Sequence, residues 1–180
     1  MKIGATATVG TGLPGRFGVD YDFINQTAVD VYVDTNHVCS AVPLSPFPHN
    51  LFTQNSKLTP KSSQINLFRV AFLLERMCPL SYGLGSKFNE THYGFYADAI
   101  NYITVTKGAY AILDPHNYMR YNNPSQQPAT GSVIGNTSDP TAATTAQFAA
   151  FWGELAGRFK DNSKVIFGLM NEVSCFFPVR

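Results

Sequence analysis

Glu172 stands beside Asn171 at the end of the apolar run Val165–Met170, V-I-F-G-L-M. A continuous run of this kind, β-branched at its start, predicts a strand buried on both faces. Polar residues that end a buried parallel strand lie where α/β folds put their chemistry. A carboxylate there can give or take a proton, with the neighbouring amide available to a bound substrate. Two further strand-like runs end in a similar way. Arg69 lies within Ile65–Leu74, I-N-L-F-R-V-A-F-L-L, where a buried guanidinium demands a carboxylate partner. His116 and Asn117 follow the run Ala109–Leu113 across Asp114-Pro115. Taken singly, each has a plain structural alternative: a polar cap on a strand, an arginine reaching past the sheet edge, a satisfied loop histidine. As an ordered set on successive strand ends they suit an enzyme that manages oxygens and protons on an uncharged polyol.

The elements that must position these residues are legible from periodicity. Asp22 to Asp34 reads as a first helix. Thr91–Lys107 reads as a second, with Tyr93, Tyr96, Ile100 and Ile103 on one stripe and Gly108 as its stop. Asp139-Pro140 opens a third, whose apolar stripe is Phe148, Phe151, Trp152, Leu155 and Phe159. Strand, helix, strand, helix, strand is the rhythm of a parallel α/β sheet or barrel, with the three strand ends on one face. Two stretches break it. Asn122–Ser138 is a long polar loop, and Val38–Gln64, rich in Pro, Ser, Asn and Thr, is too long and aperiodic for an ordinary connection.

With 180 residues the chain suffices for one domain with a real core. It falls short of the roughly 250 residues of a complete eight-fold barrel. Aromatic residues at 13% and charged residues at 14% suit an extracellular or carbohydrate-handling protein. A net charge of +1 with no basic stripe gives no support to a nucleic-acid or acidic-membrane partner. No run approaches the ~18 apolar residues of a membrane span, and the first residues lack the apolar core of a signal peptide. Sequons at Asn25, Asn89 and Asn136 hint at a secretory route. Cys39, Cys78 and Cys175 are too few and scattered for a disulfide framework or a metal cage, so neither metal nor cofactor is expected. Gly131–Gly135 lacks the lysine of a phosphate loop, and no G-x-S-x-G elbow occurs.

The blocks F-R-V-A-F-L-L-E-R-M-C-P, Y-A-I-L-D-P-H-N-Y-M-R-Y and V-I-F-G-L-M-N-E resemble glycoside hydrolase family 5, in particular its fungal endo-β-1,4-glucanases. The resemblance is loose over Gly10–Asp34 and close over Ile65–Glu172. It implies a truncated (β/α)8 TIM barrel, roughly the first half, from a retaining enzyme that acts on β-1,4-linked polysaccharide. By the same resemblance the protein would be extracellular; a monomer without a cofactor is expected. Glu172 would be the general acid/base, and Asn171 would hold the sugar hydroxyl next to the scissile bond. His116 would line the cleaved-sugar subsite with Asn117 in support, and Arg69 would orient the catalytic carboxylates. Retaining hydrolysis needs a second carboxyl group about 5 Å away as nucleophile. The family carries it on the seventh strand, for which this sequence has no counterpart. Glu75 and Glu154 are poor substitutes, one after a strand and one on an outer helix. The isolated chain is therefore expected to fold poorly, with unpaired strand edges, and to hydrolyse nothing detectable. Action on β-mannan or another β-glucan, and a non-catalytic carbohydrate-binding remnant, stand as alternatives.

Residues 1–180 then form one partial catalytic domain with two foreign segments, 38–64 and 173–180. Val173-Ser174 can be encoded as GTGAGT and Val38-Cys39 as GTATGT, both intron-donor sequences. A branch-point sequence fits within Leu58-Thr59, shortly before Gln64. Both segments are accordingly expected to be intron-derived, which leaves Cys78 as a single buried thiol; the rival reading is a natural, family-specific loop and tail.

Overall fold

A computed structural model describes residues 2–4, 15–34, 65–122 and 131–173. The segment 38–64 lies outside the described residues, as does all of 173–180 except Val173.

Leu67–Phe72 forms β2 and Tyr110–Pro115 forms β3, paired in parallel from Leu67↔Tyr110 to Phe72↔Pro115. Lys2–Gly4 adds β1 on one side, parallel to β2, and Val165–Phe167 adds β6 on the other, parallel to β3. The sheet order is β1-β2-β3-β6. The opening residues carry no strand signal in the sequence, so β1 is an addition to the expected rhythm. Between β2 and β3 run the short α2, Leu74–Met77, and α3, Glu90–Asn101. Between β3 and β6 run a two-stranded hairpin of β4, Arg120–Tyr121, with β5, Ser132–Val133, and then α4, Thr145–Phe159. The hairpin falls inside the expected loop, because two-residue strands are too short to show alternation.

Alternation along β2 sends Phe68, Val70 and Phe72 to one face, where all three are buried. α3 and α4 cover that face. Phe72 meets Tyr96 at 4.9 Å and Phe151 at 6.1 Å between ring centroids. The Tyr96 hydroxyl donates to Val70 O at 2.8 Å, which satisfies the one polar atom the ring carries into the core. Phe151 and Leu155 of α4 and Ile100 of α3 are fully buried beside them. Each such side chain contributes about 1.5–3 kcal/mol by leaving water. Cys78 is buried here too, and burial pushes its thiol up to about 11, so it is an inert core residue.

Capping corrects two expected helix starts. α1 spans Gln26–Asp34 rather than beginning at Asp22, because the Asn25 side chain accepts from Ala28 N at 2.8 Å and fixes the first turn. α4 begins at Thr145 rather than at Pro140. Thr144 and Gln147 form a reciprocal capping box there, with Thr144 Oγ1 accepting from Gln147 N at 3.1 Å. Helical structure after β2 continues past α3 as a wider turn, Tyr102–Thr106, and Gly108 then reverses the chain at φ 69°. Lys107 pins α1 to this turn through Asp30 and Asp34 at 2.7 and 2.6 Å. Asn25, Asn89 and Asn136 each use their side-chain oxygen on a local backbone N–H, so their sequon spacing also has a capping explanation.

β6 departs from the expectation of burial on both faces. Ile166, Phe167 and Leu169 are 44, 38 and 66% exposed. β6 is an outer strand of the described sheet, with β3 on one side and no described neighbour on the other.

Candidate active site

Three strand ends meet at the carboxyl edge of the sheet. Register places Arg69 opposite Ile112 and Ala71 opposite Asp114, so Asp114 lies one pleat beyond Arg69 on the same face. The guanidinium runs up that face, and its Nε sits 2.9 Å from Asp114 Oδ2. This is the carboxylate partner that a guanidinium inside an apolar strand requires. Arg69 is not fully enclosed, at 35% side-chain exposure, while Asp114 is at 5%. Arg69 Nη2 also donates to Asn171 Oδ1 at 2.6 Å. The Asn171 backbone N–H donates in turn to Pro115 O at 3.0 Å. One guanidinium thus ties the ends of β2, β3 and β6 together.

Asn117 makes a second tie, between β3 and α2. It is fully buried. Its Oδ1 accepts from Leu74 N at 2.8 Å, and its Nδ2 donates to Glu75 Oε2 at 2.7 Å. Leu74 N belongs to the first turn of α2, where a backbone donor has no partner within the helix. Sequence reasoning paired Asn117 with His116, yet the two diverge. His116 is half-buried, its backbone N–H donates to Phe72 O at 2.8 Å, and its ring meets Tyr118 edge-on at 5.2 Å. Tyr118 and Met119 follow at φ 54° and 62°. Two successive non-glycine residues in the left-handed region cost about 1 kcal/mol or more each, and such strain gathers at functional turns.

Glu172 is placed differently from the rest. It is exposed, its backbone has φ 38°, and its side chain makes no hydrogen bond or ion pair with the described residues. Beside it, Asn171 is 3% exposed. With Oδ1 turned to Arg69, the Nδ2 of Asn171 is buried with no hydrogen-bond partner among the described residues. The structure therefore brings Arg69 and Asn171 into contact, sets Asn117 beneath them as a tie, and leaves Glu172 at the rim.

Asp114 and Glu75 are the members of the edge that the sequence reading did not assign a role. Asp114 precedes Pro115 on the same face as Arg69, so the strand register would have identified it had the register been known. The described carboxylates near the strands are engaged: Asp114 with Arg69, Glu75 with Asn117, and Glu154 on α4 with Arg158 at 2.7 Å. Among the described residues no group of three His, Cys, Asp or Glu side chains could hold a metal ion.

Comparison with known proteins gives the setting of these residues. The family model described as "Cellulase (glycosyl hydrolase family 5)" matches residues 38–176. The chain is 64% identical over 168 residues to "Endoglucanase 1" of Robillarda sp. (strain Y-20), covering 93% of this chain and 37% of that protein. It is 31% identical over 166 residues to "Probable endo-beta-1,4-glucanase B" of Aspergillus kawachii, covering 92% of this chain and 36% of that one. The chain thus spans little more than a third of the length of these relatives. Among solved structures, an endo-beta-1,4-glucanase of Xanthomonas axonopodis pv. citri superposes with a TM-score of 0.63 at 23% identity, over 94% of this chain and 41% of that one. That likeness speaks to the fold, which is part of an α/β barrel. By the family match and the extent of its identity to the fungal endoglucanase, the chain belongs to glycosyl hydrolase family 5.

Proposed function

We propose that the chain supplies the first part of the active site of a retaining endo-β-1,4-glucanase. The observation that carries this is the orphaned, buried Nδ2 of Asn171 beside Glu172, held by Arg69 at the carboxyl edge of a parallel sheet. A buried donor without a partner is costly, and in a site it is balanced when a ligand oxygen arrives. On this reading Asn171 Nδ2 donates to a hydroxyl of the sugar next to the scissile bond. Glu172, exposed at the rim, protonates the leaving oxygen and later deprotonates the attacking water. His116 lines the cleaved-sugar subsite, and Arg69 aligns the carboxylates. Asn117 acts from beneath, by fixing the turn that carries His116.

The second half of the chemistry requires a carboxylate about 5 Å from Glu172 to attack the anomeric carbon. Asp114, Glu75 and Glu154 are engaged by Arg69, Asn117 and Arg158, so on this reading the chain alone binds substrate without turning it over. The substrate is an uncharged β-1,4-glucan, encountered outside the cell by a monomer. The fungal relatives support this assignment through their names, one an endoglucanase and the other a probable endo-beta-1,4-glucanase. Among the described residues no helix is long and apolar enough to cross a membrane.

Calorimetric titration with cellopentaose tests the reading. Binding by the parent chain and its loss in Asn171→Ala is the expected result. No binding by the parent, or equal binding by the variant, overturns it. Hydrolysis of carboxymethyl cellulose by the chain alone, lost in Glu172→Gln, would overturn the statement that turnover needs a further carboxylate.

A further inference from the structure

Asp114 has no assigned role, yet it stands at the origin of the contacts that set Asn171. Arginine is only a donor, so the Asn171 atom 2.6 Å from Arg69 Nη2 must be the carbonyl oxygen. That fixes the rotation of the amide and turns Nδ2 away from Arg69. The aim of Nη2 depends in turn on the other end of the guanidinium, where Nε lies 2.9 Å from Asp114 Oδ2. Nε and Oδ2 are both buried there and pair by charge rather than through an aligned hydrogen bond, and because the guanidinium is planar and rigid, drawing its Nε end toward Asp114 constrains where Nη2 points. Asp114 is itself 3% exposed and lies on β3, paired with Ala71, so its carboxylate has little freedom to move. The backbone of Asn171 is anchored independently, by its N–H to Pro115 O. Only the amide rotation is left for Arg69 to decide.

We propose that Asp114 is a positioning residue that acts through Arg69 to hold the Asn171 amide in one orientation, with Nδ2 turned away from the guanidinium as the donor. The consequence for ligand choice is that the group received by Asn171 must be an acceptor, such as a hydroxyl oxygen. The geometric role rests on this chain's own contacts. Only the identity of the acceptor, a glucan hydroxyl, rests on the function proposed above.

The test follows hydrogen exchange of side-chain amides in the 15N-labelled 180-residue chain. Asn171 is the reporter. Asn162, whose Nδ2 donates to Thr104 Oγ1 at 2.9 Å just before β6, at the opposite end of that strand, is the control. In Asp114→Asn, which keeps the shape and removes the charge, the Asn171 amide is expected to exchange at least about tenfold faster while Asn162 is unchanged, as for a local opening. Arg69→Lys should give the same split, because a single ammonium cannot span both partners. An unchanged Asn171 in both variants overturns the role, and so does an equal acceleration at Asn162, which would mark a general loss of fold. A separate arm adds cellopentaose to the parent chain. No response at Asn171 there counts against the glucan reading and leaves the role of Asp114 decided by the exchange data.

Discussion

At the ends of β2 and β3, Asp114, Asn117 and Glu75 are buried at 3, 0 and 2% exposure, and each is tied across the gap between elements. One strand over, at the end of β6, Glu172 is exposed with no side-chain partner among the described residues, and Leu169 is 66% exposed. The two regions share one sheet edge and differ in how their polar groups are settled. On the β2–β3 side Asp114, Asn117 and Glu75 are out of water, and each has a partner within this chain: Arg69 for Asp114, and each other for Asn117 and Glu75. At the end of β6 Asn171 is held by Arg69, while the Glu172 side chain next to it faces water and is fixed by none of the described residues. The β2–β3 side is therefore preorganised, while Glu172, proposed above to handle protons, is not held in place by the described residues.

The contrast breaks most sharply at Asp114. Asp114→Ala leaves the Arg69 guanidinium without its carboxylate, and about 1–3 kcal/mol of stability is expected to be lost in urea unfolding, less than for an enclosed pair because Arg69 at 35% side-chain exposure regains some water. A loss below about 1 kcal/mol would place this pair with exposed ion pairs and erase the difference between the two regions.

The second test lies behind the β2–β3 side, at His92. Its ring is 2% exposed, with Nδ1 2.8 Å from the Tyr21 hydroxyl and Nε2 without a hydrogen-bond partner among the described residues. Burial, aided by the Arg76 guanidinium, lowers its pKa from 6.5 to about 3. The folded chain thus keeps His92 neutral where the unfolded chain protonates it. Stability from this group is complete above pH 6.5 and falls as pH drops toward 3, by about 1–2 kcal/mol between pH 7 and pH 5. His92→Gln should flatten that part of a pH series of chemical unfolding midpoints, and an unchanged slope would refute the assignment.

A third effect concerns the segment 38–64, which we propose is intron-derived. Ile65 N donates to Tyr32 O at 3.3 Å, so the chain re-enters the described fold beside the end of α1. Deleting Val38–Gln64 leaves residues 35–37 to close a short gap. Shortening the loop about tenfold should raise stability by up to about 2 kcal/mol, read as a higher unfolding midpoint. A deletion variant that fails to fold would show the segment to be part of the domain. Smallest of all, Glu172→Gln at the open end should change stability by less than about 0.5 kcal/mol, as exposed substitutions do. A larger change would mean that Glu172 is tied after all.

Much of this was legible before the structure. Arg69 announced a partner because an isolated guanidinium in an apolar run is untenable, and the parallel rhythm followed from Phe68–Val70–Phe72, Tyr96–Ile100 and Phe151–Leu155. The identity of the partner was not legible, since it depends on strand register that no local pattern states. The division between His116 and Asn117 was hidden for a similar reason. Adjacent residues on a turn face different surroundings, and only the position of α2 decides which of them is enclosed. The start of α4 was readable in Thr144 and Gln147 as a capping box, but the proline at 140 is an equally good local signal.

The most direct test places these residues within a longer relative. Residues 65–172 replace their counterpart in Endoglucanase 1 of Robillarda, which is 64% identical over its matched region. Turnover of carboxymethyl cellulose is then compared with and without Glu172→Gln. The account predicts an active chimera whose kcat falls by about 100-fold or more in the variant, the usual contribution of a general acid/base. A folded chimera without activity, or one whose turnover is indifferent to Glu172→Gln, would contradict it.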